Sequence, residues 1–453
     1  MPRIVFLLGL LTLAAIVGAL LLRLAGRGPQ RGAWLFLTTV AFVPVWVCLP
    51  VQPYVPPATI AASLVALALL PAFSLRLTIG DLIVLGALGL QCVSVLAGGS
   101  MGYVLGDVVF GALPAYMVGR LLTERLGERR LCGIIGSVWM AVAVLALIEA
   151  AVHWNPFQMI RFSNALYDQW AVDQIRGSMV RVEGAFGHSI ALGASLAAGI
   201  PFVARAEWRP GLRVVGMTLL LAASLPTLSR TGIVCCVIAY VLSLTLLRSD
   251  IGFGLRAGTL LGLAAAMLLV VPRILAVFES AGNEQEGSAD YRSALLVLVQ
   301  HLVPVGQSPA ATRAGGEVSW AGFKSIDNQA LLMALRFGWA PVALLVLGLV
   351  LVVIRALTRR GNCADIALVS FIPAYVTVAF ITQFGTVVWF VVGVAAALRA
   401  RGGTEAWAPP GYQGPTRAEQ PIIALARSRG AAGPGNRSMN WRTDAPGSEE
   451  DAV

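Results

Sequence analysis

The run LCGIIGSVWMAVAVLALIEAAV, Leu131 to Val152, decides the fold. Its 22 residues exceed the ~20 that an α-helix needs to cross a bilayer core. Arg125, Arg129 and Arg130 stand just before it, where basic residues mark the cytoplasmic end of a membrane helix. Upstream, comparable runs cover Ile4 to Leu22, Ala33 to Leu49, Thr59 to Leu75, Leu82 to Leu96 and Tyr103 to Leu122. Downstream they cover His188 to Val203, Val214 to Leu228, Gly232 to Leu247, Ala257 to Val271, Gly338 to Ile354, Ile366 to Thr382 and Thr386 to Leu398. The pattern predicts an all-α polytopic membrane bundle of about thirteen spans over residues 1–399.

Composition agrees. Of 453 residues 57% are hydrophobic and 12% charged, with mean hydropathy +0.79, whereas soluble domains carry about 25% charged residues. The net charge of +10 comes from 33 basic and 23 acidic residues. The arginines sit mostly between apolar runs, which argues against nucleic-acid binding and for membrane topology. The six cysteines lie in or beside apolar runs without metal-ligand spacing and read as small apolar residues; no metal site is expected. The first run is too long for a signal peptide, and Arg23 and Arg27 occupy the place of a cleavage site, so it reads as a helix.

Strict alternation places Arg23, Arg27 and Arg31, Arg76, Arg120 to Arg130, Arg205 to Arg213, Arg248 and Arg256, and Arg355 to Arg360 on one side. The short loops at Gln52 to Pro57, Gly98 to Gly102 and Gln383 to Gly385 fall on the other side and carry no charge. The positive-inside rule makes the first side cytoplasmic, with the N-terminus outside and the C-terminus inside. Two outer loops are long, residues 153–187 and 272–328, and the apolar stretch Ala294 to Val305 in the second predicts an interfacial or packed helix, so a partly helical cap. Residues 400–453, rich in Gly, Pro, Arg and Ser, predict a disordered cytoplasmic tail.

Chemistry is expected where charge appears on the outer side without a topological reason. Arg181-Val182-Glu183-Gly184-Ala185-Phe186-Gly187-His188 brings an arginine, a carboxylate and a histidine to a membrane boundary, and Arg230 lies in the short outer turn Ser229 to Gly232. Arg292 follows Asp290-Tyr291, and Asp327-Asn328 precedes an apolar helix bearing Arg336. Guanidinium forks grip phosphate oxygens in bidentate fashion, so several of them together would make a pyrophosphate site; the plain alternative is that each pairs with a nearby acid. His188 reads either as a proton carrier or as a helix start, His301 as a base if its loop folds over the site, and His153 as an interfacial anchor. Asp107, inside its helix, is either a sugar ligand or a structural partner.

These motifs in this order, Arg181-x-x-Gly184-x-Phe186-x-His188, Thr227-Leu228-Ser229-Arg230-Thr231-Gly232, Tyr291-Arg292 before Pro304-Val305-Gly306, and Asp327-Asn328 before Gly338, resemble the O-antigen ligase and polymerase family over about residues 80 to 400. The resemblance implies a membrane glycosyltransferase of the bacterial cytoplasmic membrane, active on its outer face without cofactor or metal. It would take a glycan from an undecaprenyl diphosphate carrier to a saccharide acceptor, for cell-surface polysaccharide. It also implies that Arg181, Arg230 and Arg292 hold the diphosphate, that Asp327, with His188 or His301 as substitutes, takes the acceptor's proton, and that Glu183, Asn328 and Asp107 contact sugar. The family's ligases carry histidine where this chain has Asp327, which favours a polysaccharide polymerase over a lipid A core ligase. The bilayer and polysaccharide assembly proteins are the further partners expected. A transporter or flippase for lipid-linked saccharides or small anions is the alternative; it predicts charges near the bilayer midplane, where the sequence offers few. A non-catalytic assembly subunit is a third.

Overall fold

Proline and small polar caps start the helices of this chain, and glycines often end them. Pro29, Pro57 and Pro210 open helices at positions whose N–H would lack an intrahelical partner. Thr78 with Asp81, and Asn362 with Asp365, form reciprocal capping boxes. Gly127 and Gly338 separate consecutive helices at positive φ.

The computed structural model describes residue 18 and residues 28–48, 54–70, 77–176, 179–247, 251–280, 290–291, 293–314 and 317–405. Within these, the helices are α1 (Pro29–Phe42), α2 (Pro57–Leu69), α3 (Ile79–Ala97), α4 (Met101–Leu126), α5 (Glu128–Val152), α6 (Ala165–Trp170), α7 (Ser189–Arg205) and α8 (Pro210–Thr227). They continue with α9 (Arg230–Thr245), α10 (Phe253–Ser280), α11 (Gln329–Phe337), α12 (Trp339–Leu357), α13 (Cys363–Ser370), α14 (Ile372–Thr377) and α15 (Phe384–Glu405). The only strands among the described residues are two small antiparallel hairpins, β1 (Ile175–Arg176) with β2 (Met179–Val180), and β3 (Ala311–Ala314) with β4 (Glu317–Trp320). The protein is an all-α bundle of membrane type. Six helices, α3, α4, α5, α8, α12 and the first part of α15, are long and apolar enough to cross a membrane, and shorter apolar helices accompany them.

Helix α7 forms the centre, buried along almost its whole length and packed by α5, α8, α9 and α13. Small residues permit this. A Cβ on Gly232 would sit 2.9 Å from the Gly193 backbone, so α7 and α9 touch main chain to main chain. A Cβ on Gly119 would come within 2.2 Å of the Phe390 carbonyl, locking α4 against α15 in the same way. Helix α12 is peripheral, with Leu347, Val350 and Ile354 exposed.

Several boundaries differ from the sequence reading. The expected span Ala33 to Leu49 is shorter, since its helix ends at Phe42 before Pro44. Helix α10 runs through Pro272 to Ser280, so the second long loop begins after Ser280 and not at residue 272. The stretch expected as a helix from Ala294 to Val305 is a 3₁₀ turn over Leu295–His301, whose Leu295 and Leu298 form a small core with Trp320, Ile326, Leu331 and Leu335. The span Ile366 to Thr382 is divided: Pro373 opens the second piece, and residues 378–383 are non-helical. Helix α15 continues to Glu405, so residues 400–405, expected in the disordered tail, are helical. The first predicted span, apart from Gly18, and residues 406–453 lie outside the described residues.

Candidate functional site

The two ends of the bundle are chemically distinct. At one end the N-terminus of α5 meets the C-terminus of α7 through Glu128 and Arg205, 3.1 Å apart. Nearby elements carry Arg120 bonded to Asp81 at 2.9 Å and to Glu124 at 2.6 Å, with Tyr116 donating its hydroxyl hydrogen to Asp81. Arg399 bonds Asp365 at 2.6 Å. This end gathers arginines that the sequence reading placed inside. At the other end lie the C-terminus of α5 and the starts of α7 and α9, with the predicted outer residues 153–187 and 227–231.

The site is built on the β1–β2 hairpin and the turn between α8 and α9. Hairpin register pairs Arg176 with Met179, and the Arg181 N–H extends the ladder to the Gln174 carbonyl at 2.9 Å. The Val182 N–H then bonds the Pro226 carbonyl, laying the hairpin's exit strand along the turn. Leu228 takes a left-handed conformation, φ 48°, and its carbonyl accepts from Arg176 Nη1 at 2.8 Å and from Arg181 Nη2 at 3.5 Å. Arg181 Nε donates to the Thr227 carbonyl at 3.0 Å. Two residues further, Arg230 begins α9 and is exposed, with Ser229 capping the helix through Gly232 N–H. Arg176 and Arg181 therefore converge on the turn from which Arg230 begins α9, at the positive end of a 16-residue helix dipole.

Buried carboxyls lie behind this cluster. Glu149, near the end of α5, accepts from the N–H groups of Glu183 and Gly184 at 2.9 and 3.0 Å. Glu183 is 1% exposed; one of its oxygens accepts from Gln174 N–H, while Oε2 has no hydrogen-bond partner. Burial pushes the Glu183 carboxyl up to about 8, against the opposing Gln174 hydrogen bond, with the Glu149 charge adding to the rise. His188 is held down to about 3, first by burial and then by the positive Arg181. Its Nδ1 accepts from Ile190 N–H at 3.2 Å and caps α7, and Trp170 packs edge-on against the ring. With Nδ1 accepting, the other nitrogen of the neutral ring carries the proton, and His188 serves as the cap of α7.

The Asp327 motif approaches from the other side of a shared segment. Asn328 caps α11 through Leu331 N–H, Gln329 N–H bonds the Val378 carbonyl at 3.0 Å, and Gln329 Oε1 accepts from Phe380 N–H at 2.7 Å. One residue away, Thr377 shares a 3.1 Å hydroxyl contact with Thr231, the neighbour of Arg230. Asp327, partly exposed, accepts from Ser325 Oγ at 3.1 Å, and Tyr291 bonds the Ser325 carbonyl. Its carboxylate and burial raise the Tyr291 phenol, burial more strongly.

The remaining expected residues are placed elsewhere. Asp107 accepts from Arg336 at 2.5 Å, and Arg336 lies over the Tyr103 ring at 4.6 Å, so the carboxylate joins α4 to α11. His301 ends the 3₁₀ turn beside Gln300, on the small core of the second loop. Arg292 lies outside the described residues. The sequence reading missed Arg176, although Gly177-Ser178 between two short β-prone pairs is a hairpin signal that would have set it beside Arg181. It also missed Glu149, an acid one turn from a span's end, which is costly there without a partner.

Fold and site together define an all-helical protein of membrane type with an arginine cluster at one end, backed by buried carboxyls. Comparison of the chain with protein-family models, with curated proteins and with solved structures gives no match.

Proposed function

We propose that the protein is a membrane-embedded glycosyltransferase, a polysaccharide polymerase before a lipid A core ligase, using glycans carried on undecaprenyl diphosphate. In this reading the bundle crosses the bacterial cytoplasmic membrane about thirteen times, the arginine cluster faces outward beneath a cap made by the second long loop, and the C-terminal tail is cytoplasmic. The observation that carries it is that Arg181, far away in sequence, is bonded to the Thr227 carbonyl of the turn from which Arg230 begins α9.

The chemistry follows from charge. An acceptor-sugar hydroxyl attacks the anomeric carbon, the carbon–oxygen bond to the diphosphate breaks, and the electron pair leaves on the phosphate oxygen. Arg181, Arg230 and the nearby Arg176, with the α9 N-terminus, stabilise that growing charge more in the transition state than in the ground state. Asp327, the partly exposed carboxylate of the approaching motif, takes the hydroxyl proton. Arg292 is assigned to the diphosphate by its motif alone, and Glu183, Asn328 and Asp107 to supporting or acceptor contacts.

Purified protein in proteoliposomes, given lipid-linked saccharide donor without any ion gradient, is expected to form polymer and release undecaprenyl diphosphate. Asp327→Asn is expected to lower that rate at unchanged protein level. Donor flipping without bond formation would instead make the protein a transporter.

A further inference from the structure

A half-open apolar groove runs between α12, with α3 beside it, and α15, lined by Val84, Val346, Val352, Trp389, Val392 and Ala396. Along α15 the lining extends from Val388 to Arg399, a rise of ~16 Å at 1.5 Å per residue. That length is about half of a ~30 Å hydrocarbon core, the depth reached by one acyl chain. Among the described residues the groove's only lining cation is Arg399, at the arginine-rich end. The opposite mouth holds Gln329, whose side-chain oxygen is already occupied by Phe380 N–H.

The charge balance at the Arg399 mouth is uneven. Arg399 and Arg355 share one carboxylate, Asp365, at 2.6 and 3.7 Å. Asp365 is fully buried and its second oxygen also accepts from Asn362 N–H. The Nε atoms of both arginines are buried without a hydrogen-bond partner. Arg359 and Arg360 follow on the adjoining turn, both exposed. One carboxylate neutralises one of two guanidiniums, and two more cations stand beside them, so an apolar slot ends in surplus positive charge.

We infer that this groove seats one acyl chain of an anionic phospholipid, with the headgroup phosphate held at Arg355, Arg359, Arg360 and Arg399. The site lies at the opposite end of the bundle from the Arg181–Arg230 cluster and does not depend on the glycosyltransferase reading. A polyprenyl tail entering from the other mouth would find no cation in the lining there and would exceed the groove's length.

The full chain is reconstituted in vesicles containing phosphatidylglycerol with brominated acyl chains, or phosphatidylcholine brominated alike. The emission of Trp389 is taken as the difference between the protein and its Trp389→Phe variant, since bromine quenches a tryptophan in contact with it. Quenching at least fivefold greater for phosphatidylglycerol at equal mole fraction is expected. The surface variant Arg359→Gln/Arg360→Gln, which disturbs no buried pair, is expected to cut that preference at least threefold, and Val392→Phe to abolish quenching. Equal quenching by both lipids, a preference unchanged in the double variant, or displacement of the brominated lipid by added undecaprenyl phosphate would overturn the assignment.

Discussion

The two ends of the bundle handle buried charge in opposite ways. At the Asp81 end, guanidinium meets carboxylate: Arg120 and Asp81 are each 1% exposed and bonded to one another, and Tyr116 and Thr78 fill the remaining acceptor sites. At the Arg181 end, guanidinium meets backbone. Arg176 and Arg181 are steadied by the carbonyls of Thr227 and Leu228, while Glu149 is steadied by N–H groups. A carboxylate cancels much of the charge it binds, whereas a carbonyl orients a cation without adding a countercharge of its own. Glu183, raised to about 8, is mostly protonated at neutral pH and adds little cancellation. The first end joins helices through side-chain ion pairs, and the second joins a hairpin to the α8–α9 turn through bonds from side chains to the main chain.

The largest test of that contrast is stability. Asp81→Ala removes a carboxylate that holds buried Arg120, whose bond to Glu124 remains, and is expected to cost about 1.5–3 kcal/mol, read as a loss of thermal stability in detergent. Arg230→Ala, at an exposed helix start, is expected to leave stability within about 0.5 kcal/mol while lowering polymer formation about 10²–10³-fold, with Arg181→Ala lowering both. Equal loss of folding in Asp81→Ala and Arg230→Ala, or normal polymer from Arg230→Ala at normal expression, would break the comparison.

A smaller effect is set by pH. Glu183 has a folded pKa raised from 4.5 to about 8, so the folded state binds the extra proton and stability falls as pH rises from 4.5 to 8. His188 is depressed from 6.5 to about 3, so the unfolded state binds the extra proton and stability falls as pH drops from 6.5 to 3. The two contributions oppose between 4.5 and 6.5 and cancel in part there, Glu183 adding a falling limb above 6.5 and His188 one below 4.5. Each limb is limited to about 1.4 kcal/mol per pH unit. Glu183→Gln is expected to flatten the alkaline limb and His188→Asn, which keeps a capping side chain, the acid limb; melting temperature against pH reads both. The smallest effect is at the bridge between motifs: Thr231→Val is expected to cost about 1 kcal/mol through the Thr377 contact, with a modest fall in activity.

Helix class and most helix positions were legible in the sequence because long apolar runs have few other solutions. Leu131 to Val152 and its neighbours needed only their length and flanking arginines. Helix ends set by proline were less legible: Pro272 did not stop α10, whereas Pro373 coincided with a break. At the site, Arg181 and Arg230 stood out because their loops carried charge that topology did not require. The acceptor that Arg181 shares with Arg176, the carbonyl of a left-handed Leu228, could not be seen, since backbone polarity has no signature in side-chain identity. Asp107 looked functional for the same reason as Arg181, but its partner Arg336 comes from a helix more than 200 residues later, and only folding joins them.

One amide has a consequence for the order in which the molecule is made. Gln383 Nε2 donates at 3.0 Å both to the Val43 carbonyl, after the first described helix, and to the Ala185 carbonyl, in the loop that carries Arg181. Synthesis proceeds from the N-terminus, so both carbonyls emerge long before their common donor. A nascent chain therefore has its arginines inserted well before their loop is pinned, and a version truncated ahead of Gln383 would keep most of its spans yet lack the fastening between its earliest and latest parts.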